Sequence, residues 1–169
     1  MSAFKSSLPS GAYATMRAVF TTLRNDQILC KYLYYPSEDI DDDPTLKPDL
    51  SSEQIDEIIF TTKEVDELEG SNKVKRGRLT FGLGTIFKSY QNHKASSPII
   101  NIYIWTPRVG FQDIDFRQEA ILDRIDELIS DRSFEGSFGR VFKDGGSPYD
   151  APKGYLGYDV RYEFSDTDF

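Results

Sequence analysis

The chain has 169 residues, and its 28 acids against 20 bases give a formal charge of −8. A field of that sign excludes a reader of duplex DNA, which needs clustered Lys and Arg against the phosphates, although DNA that only slides past is not excluded. A single cysteine, Cys30, excludes an intrachain disulfide, and no window approaches the roughly 20 apolar residues of a membrane span.

The length fits one domain that buries roughly 70% of its unfolded surface. Phe and Tyr are abundant, at 12 and 10 residues, and they suit half-buried sheets and protein interfaces. Met1 to Ser10 carry no signal-peptide core, so the expectation is a soluble chain in a reducing cytoplasm.

From the N-terminus, Ala12, Met16, Val19, Phe20 and Leu23 recur at helical spacing and predict a helix over Gly11 to Arg24, with Ser10 as its N-cap. Asn25-Asp26 interrupts the pattern and caps a second short helix, Gln27 to Tyr34, which Pro36 ends. Cys30 lies in its apolar run and reads as a small buried hydrophobe. Ser37 to Pro44, followed by Pro48, is dense in acids and prolines and reads as a loop. Ser51 three residues ahead of Gln54 matches a capping box, so a short helix follows. Ile58 to Thr62 predicts a strand, Gly70-Ser71-Asn72 a turn, Arg78 to Leu83 a strand, and Gln91 to Ser97 a loop.

Ile99 to Trp105 carries the strongest strand pattern. Ile100, Ile102 and Ile104 face one way, and Ile99, Asn101, Tyr103 and Trp105 the other. Pro107 to Gly110 turns the chain. A helix over Asp115 to Ser130 follows, with the stripe Ile114, Ile121, Leu122, Ile125, Leu128 and Ile129 and a capped start at Asp115 and Gln118. Phe134 to Phe142 reads as a strand weakened by Gly136 and Gly139, Asp144 to Pro148 as a turn, and Tyr155 to Phe164 as the closing strand. The expected fold class is α+β: a mostly antiparallel sheet packed against two main helices, in one domain over 1–169 with an irregular acidic insertion.

The residues that carry chemistry are sparse. Asp39, Asp41 and Asp43 have the spacing with which a calcium loop begins, but its sixth and twelfth positions hold Pro44 and Leu50 instead of Gly and Glu. The run Glu38 to Asp43 therefore reads as a solvated acidic loop. His93 is the only histidine, so zinc held by His93 and Cys30 would be two ligands short. Gly82-Leu83-Gly84 lacks the third glycine of a dinucleotide loop and reads as a turn or bulge. Lys73, Lys75, Arg76 and Arg78 form the one local positive patch, which reads as an exposed hairpin balancing nearby acids. Ser147 to Tyr155 is rigid, aromatic and glycine-punctuated, either a stiff lead-in to the last strand or a docking loop presenting Tyr149 and Tyr155. No catalytic constellation emerges, and no cofactor is expected.

Three features together suggest a family. An N-terminal amphipathic helix precedes a variable acidic region. The strand Pro98-Ile99-Ile100-Asn101-Ile102-Tyr103-Ile104 precedes a turn and a helix containing Arg124-Ile125-Asp126-Glu127-Leu128-Ile129. A Gly-Tyr-x-Gly-Tyr strand ends in Tyr162-Glu163-Phe164. This pattern resembles the tail terminator, or tail completion, proteins of tailed bacteriophages over about residues 11–33 and 98–164, with the acidic region 36–75 unmatched. The resemblance implies a structural virion protein of the neck, assembled in the host cytoplasm. It implies a homo-oligomeric ring, a hexamer, that caps the tail tube, stops its polymerisation and joins it to the head–tail connector while DNA passes through.

Within that reading the expected contacts are the turn after the main strand, with Trp105, Arg108 and Phe111; the Tyr149 to Tyr158 segment, with Tyr149, Tyr155 and Tyr158; and the tail ending in Phe169. Alanine at Trp105 and Phe111 is expected to leave the fold intact and abolish the ring. The alternatives are a connector or stopper on the portal side and, in a different class, a small metal-dependent hydrolase using Glu38 to Asp43.

Overall fold

A computed structural model describes residues 12–61, 75–88, 96–134 and 140–164. The elements run α1 (Ala12–Asn25), α2 (Gln27–Tyr34), a 3-10 turn at Pro44–Leu46, α3 (Ser52–Asp56), β1 (Ile59–Phe60), β2 (Arg78–Lys88), β3 (Ser96–Pro107), a wide turn at Arg108–Gln112, the single turn α4 (Asp113–Asp115), α5 (Arg117–Ile129), β4 (Val141–Tyr149) and β5 (Tyr155–Phe164). The fold is α+β, as the pattern of elements predicts.

The strands form one sheet in the order β1-β2-β3-β5-β4, antiparallel except for the short parallel β1–β2 pair. β3 is central, paired with β2 on one side and β5 on the other. Ile100, Ile102 and Ile104 are completely buried, opposite Leu83, Phe81 and Leu79 on β2 and Tyr162, Val160 and Tyr158 on β5. The helices cover this face. Val19 and Leu23 of α1, Leu29, Cys30 and Leu33 of α2, and Ile121, Ile125 and Ile129 of α5 close the main core.

Asp26 ties the helix layer together. Its Oδ1 accepts the Leu29 N–H at 2.7 Å, capping α2, and Arg124 of α5 donates to both carboxylate oxygens at 3.0 and 2.6 Å. Burial pushes this carboxyl up, but the Arg124 and Leu29 hydrogen bonds outweigh it and hold it below the usual carboxylate range. The capping box of α3 is complete: Gln54 N–H donates to Ser51 Oγ, and the Ser51 N–H donates to Gln54 Oε1.

Several expectations change. Asp144 to Pro148 is not a turn; it lies within β4, with a bulge between Lys143 and Gly145. An edge strand tolerates that, since one row of its backbone groups needs no partner and proline there breaks no ladder bond. The long helix starts at Arg117, not Asp115, because Phe116 adopts a left-handed conformation (φ 51°) between α4 and α5. The Gln118 N–H then finds Gln112 Oε1 at 2.9 Å. Ser96 and Ser97 belong to β3, and Gly82 to Gly84 lie in β2 beside a bulge. Within residues 36–61, Pro44, Leu50, Ile55, Ile58 and Ile59 are buried. Ser10, Thr62, the 70–72 turn, Lys73, His93, Gly136, Gly139 and Phe169 lie outside the described residues.

Candidate functional site

A sheet has two faces, and among the described residues the helices occupy one. The other carries Arg78, Thr80 and Gly82 on β2, Asn101, Tyr103 and Trp105 on β3, and Tyr155, Gly157 and Asp159 on β5, placed together by the registers Arg78–Trp105, Thr80–Tyr103, Gly82–Asn101 and Trp105–Gly157. Tyr103, Trp105 and Tyr155 form a second, smaller apolar cluster with Ala151 packed against it. Tyr149 of β4 covers it, with ring centroids 5.0 Å from Tyr103 and 6.4 Å from Trp105. Gly157 makes room for this arrangement: a β-carbon there would stand 2.3 Å from the Tyr149 carbonyl oxygen.

This face holds polar atoms that the fold leaves unsatisfied. Arg78 Nε, Thr80 Oγ1, Asn101 Oδ1 and Trp105 Nε1 are buried without a hydrogen-bond partner. Arg76 Nη1, Thr106 Oγ1 and Asp115 Oδ1 are likewise buried without a partner, so such atoms are not confined to this face. The β4 edge is a poor template for strand addition, because Lys143, Pro148 and the bulge all blunt it.

At that sheet end the β3–α4 turn, the 150–154 loop and the start of β2 converge. The Arg108 N–H donates to Gly154 O at 3.0 Å, and Lys75 Nζ stands 5.8 Å from the centre of the Tyr155 ring. Burial pushes the Tyr155 phenol up, an effect that Arg78 partly opposes.

The expected contact residues divide by exposure. Arg108 and Tyr149 are exposed, whereas Tyr158 is half-buried and lies on the helix side of the sheet, opposite Ile104. Trp105 and Tyr155 are 3% and 6% exposed, the floor of the aromatic cluster instead of its surface. Phe111 is wholly buried, its ring 5.2 Å from the Arg117 guanidinium, so it supports a buried cation and is no docking anchor. Alanine at Trp105 or Phe111 removes core, contrary to the expectation that the fold would tolerate it. The exposed apolar positions nearby are Val109 and Phe116.

The decisive residue that sequence reasoning missed is Arg117, 1% exposed. Its Nε and Nη2 donate to Asp115 Oδ2 at 2.9 and 2.5 Å, its Nη1 to the carbonyls of Tyr32 and Tyr35 at 3.0 and 2.8 Å, and its Nη2 also to Ser37 Oγ. Ser37 Oγ donates to Asp115 Oδ2 at 3.0 Å, and Ser37 N–H donates to Gly110 O at 2.7 Å. Gly110 takes φ 74°, a conformation that favours glycine, and lies against Pro36. One arginine thus clamps the end of α2, the start of the acidic loop and the turn after β3. The available signal was its position: a cation in the first turn of a helix opposes the dipole and needs another reason to be there.

The acidic loop uses some of its carboxylates on itself. Asp43 accepts the Thr45 N–H at 2.8 Å, Asp39 accepts the Asp41 N–H at 3.0 Å, and Asp42 pairs with Lys47 at 2.6 Å. Among the described residues no three His, Cys, Asp or Glu side chains gather into a group that could hold a metal ion. Also among them, no helix is long and apolar enough to cross a membrane.

A family model named YomW matches residues 26–164, from the cap of α2 to the end of β5. The chain belongs to the YomW family. That family is phage-derived, which associates the chain with phage and leaves its station open. No curated protein shows significant similarity to it.

Proposed function

We propose that this YomW-family protein is a structural, non-catalytic component of the phage neck. In this reading it is a tail terminator that forms a homo-oligomeric ring, caps the finished tube, ends its polymerisation and joins it to the head-side connector. The observation that carries the reading is the sheet face on which no described helix lies, where Tyr103, Trp105 and Tyr155 collect under an exposed Tyr149 while the helices cover the opposite face. Such a face is what a subunit keeps for neighbours, with aromatics at the centre and charges at the rim. Membership in a phage-derived family and the order of elements in the resembling segments support the same assignment. The net charge of −8 suits a channel wall that DNA crosses without sticking.

Tube polymerisation in vitro tests the proposal. Tube protein assembled with increasing amounts of this chain should give shorter tubes that do not resume growth when fresh subunits arrive. Tubes of unchanged length, with the chain left in the supernatant, refute a terminator. Binding to portal or adaptor instead of tube would identify a connector.

A further inference from the structure

Several cations of the helix side pair with acids: Arg24 with Asp56, Lys31 with Asp49 at 2.7 Å, Lys47 with Asp42 at 2.6 Å, Arg117 with Asp115 and Arg124 with Asp26. At the end of the helix-free face, Lys75, Arg78, Arg108 and Lys153 make no ion pair among the described residues. All four gather at Gly154 and Tyr155. Lys75 Nζ lies 2.8 Å from where a β-carbon on Gly154 would sit. Arg78 stands opposite Trp105 on the neighbouring strand. Arg108 is hydrogen-bonded through its backbone to Gly154, and Lys153 is exposed beside it. Asp150 is the acid of that loop. Just beneath lie the unpartnered donors Arg78 Nε, Thr80 Oγ1 and Trp105 Nε1. On a chain of charge −8 this is, among the described residues, a local reversal of sign that is rich in donors.

The same chain carries the complement. Glu38, Asp39 and Asp41 are exposed and make no ion pair among the described residues, and Ile40 between them is 73% exposed. The Arg117–Asp115–Ser37 clamp fixes the start of this loop to the end of α2 and, through the Ser37 N–H to Gly110 O bond, to the turn that carries Arg108. An acidic knob and a separate basic receptor on one surface form a heterologous pair, which repeats from copy to copy and generates a ring when the rotation closes.

We infer that the Glu38–Asp41 loop of one copy docks on the Lys75–Arg78–Arg108–Lys153 patch of the next, with Ile40 against the aromatic cluster around Tyr155. This rests on the ring reading above and supplies the contact that the ring needs. Nucleic acid is the other polyanion such a patch could meet, but the overall field opposes its approach.

Sedimentation velocity of the full chain, alone and on tail tubes, tests the pairing with charge reversals. Lys75→Glu with Arg108→Glu, and separately Asp39→Lys with Asp41→Lys, should each weaken self-association about tenfold or more, as loss of close interfacial charge pairs does. An equimolar mixture of the two variants should restore assembly, since each then offers what the other lacks. Thermal unfolding checks that both variants fold, and the milder Asp39→Asn with Asp41→Asn serves if a reversal does not. If the wild type forms rings and the reversals leave them unchanged, this inference falls while the ring reading stands. If the wild type stays monomeric both alone and with tubes, both fall. Weakened binding to a duplex oligonucleotide, with self-association unaffected, would assign the patch to nucleic acid and overturn the inference.

Discussion

Arg117→Ala probes the joint between the fold and the acidic loop. The guanidinium is 1% exposed and makes five hydrogen bonds, to Asp115, Ser37 and the carbonyls of Tyr32 and Tyr35. Removing it leaves a mostly buried carboxylate without its cation and two carbonyls without donors. Taking one partner from a buried ion pair costs about 3–5 kcal/mol. A domain of ordinary stability has about 5–15 kcal/mol in all, so the variant loses a large share. At about 2–4 °C per kcal/mol for a chain of this size, the melting temperature should fall by roughly 6–20 °C. Lysine should rescue little, because a point charge cannot serve acceptors spread over both sides of a planar fork. Urea unfolding followed by far-UV circular dichroism gives the number. Arg140→Ala is the control: its pair with Asp131 is 62% and 66% exposed and should contribute about 0–1 kcal/mol. The fall should come with faster amide exchange at residues 36–43, whose anchor is gone. A loss below about 1 kcal/mol with unchanged exchange would show that the clamp does not hold the loop.

Further outcomes follow from other parts of the molecule. Cys30 sits in the core, and burial pushes its thiol up to about 12 from an ordinary 9.0. The unfolded chain therefore loses this proton first as pH rises, so stability should fall from about pH 9 to about pH 12. The fall should be smaller in Cys30→Ala when the two stability–pH curves are subtracted. Native Cys30 should also react slowly with thiol reagents at neutral pH, and fast labelling would contradict its burial. Trp105→Phe removes an indole N–H that has no acceptor, so denaturant midpoints should shift by less than about 1 kcal/mol, whereas Trp105→Ala should cost about 3–5 kcal/mol. Gly157→Ala places a methyl group 2.3 Å from the Tyr149 carbonyl oxygen. The resulting overpacking should cost about 1–3 kcal/mol in chemical denaturation and loosen the 150–154 loop in amide exchange.

Much of the fold could be read because local pattern and tertiary context agree. The alternation of β3 predicts its two faces, and Ile100, Ile102 and Ile104 are indeed completely buried. The Ser51–Gln54 capping box and the Asp26 cap obey rules that act within four residues and need no tertiary knowledge. Where local signals mislead, the tertiary position explains it. Glycine and proline at Gly145, Gly146 and Pro148 read as a turn, yet an edge strand with one free side accommodates them. Phe116 in a left-handed conformation breaks the predicted helix start in a way no propensity scale foresees. Phe111 reads as an exposed aromatic beside glycine, yet it is wholly buried, with its ring 5.2 Å from the Arg117 guanidinium.

The candidate site was less legible than the fold. Its aromatics were found, because Tyr149, Tyr155 and Trp105 stand beside glycine and proline. Their division into floor and surface was not, because it depends on Tyr149 folding over Tyr103 from the far side of β5. The basic patch could not be assembled from sequence either. Lys75 and Arg78 are more than 70 residues from Lys153, and only the β2–β3–β5 register brings them together. The acidic run was visible at once, but its meaning depends on which neighbours have already taken their carboxylates.

Electron microscopy of tail tubes incubated with the purified full chain tests the central claim most directly. The account predicts a closed ring of this protein on the end of each tube, built from repeated contacts between the helix-free face of one copy and the helix-side loop of the next. Bare tube ends beside a dispersed monomer, under conditions where the tubes stay intact, would contradict it.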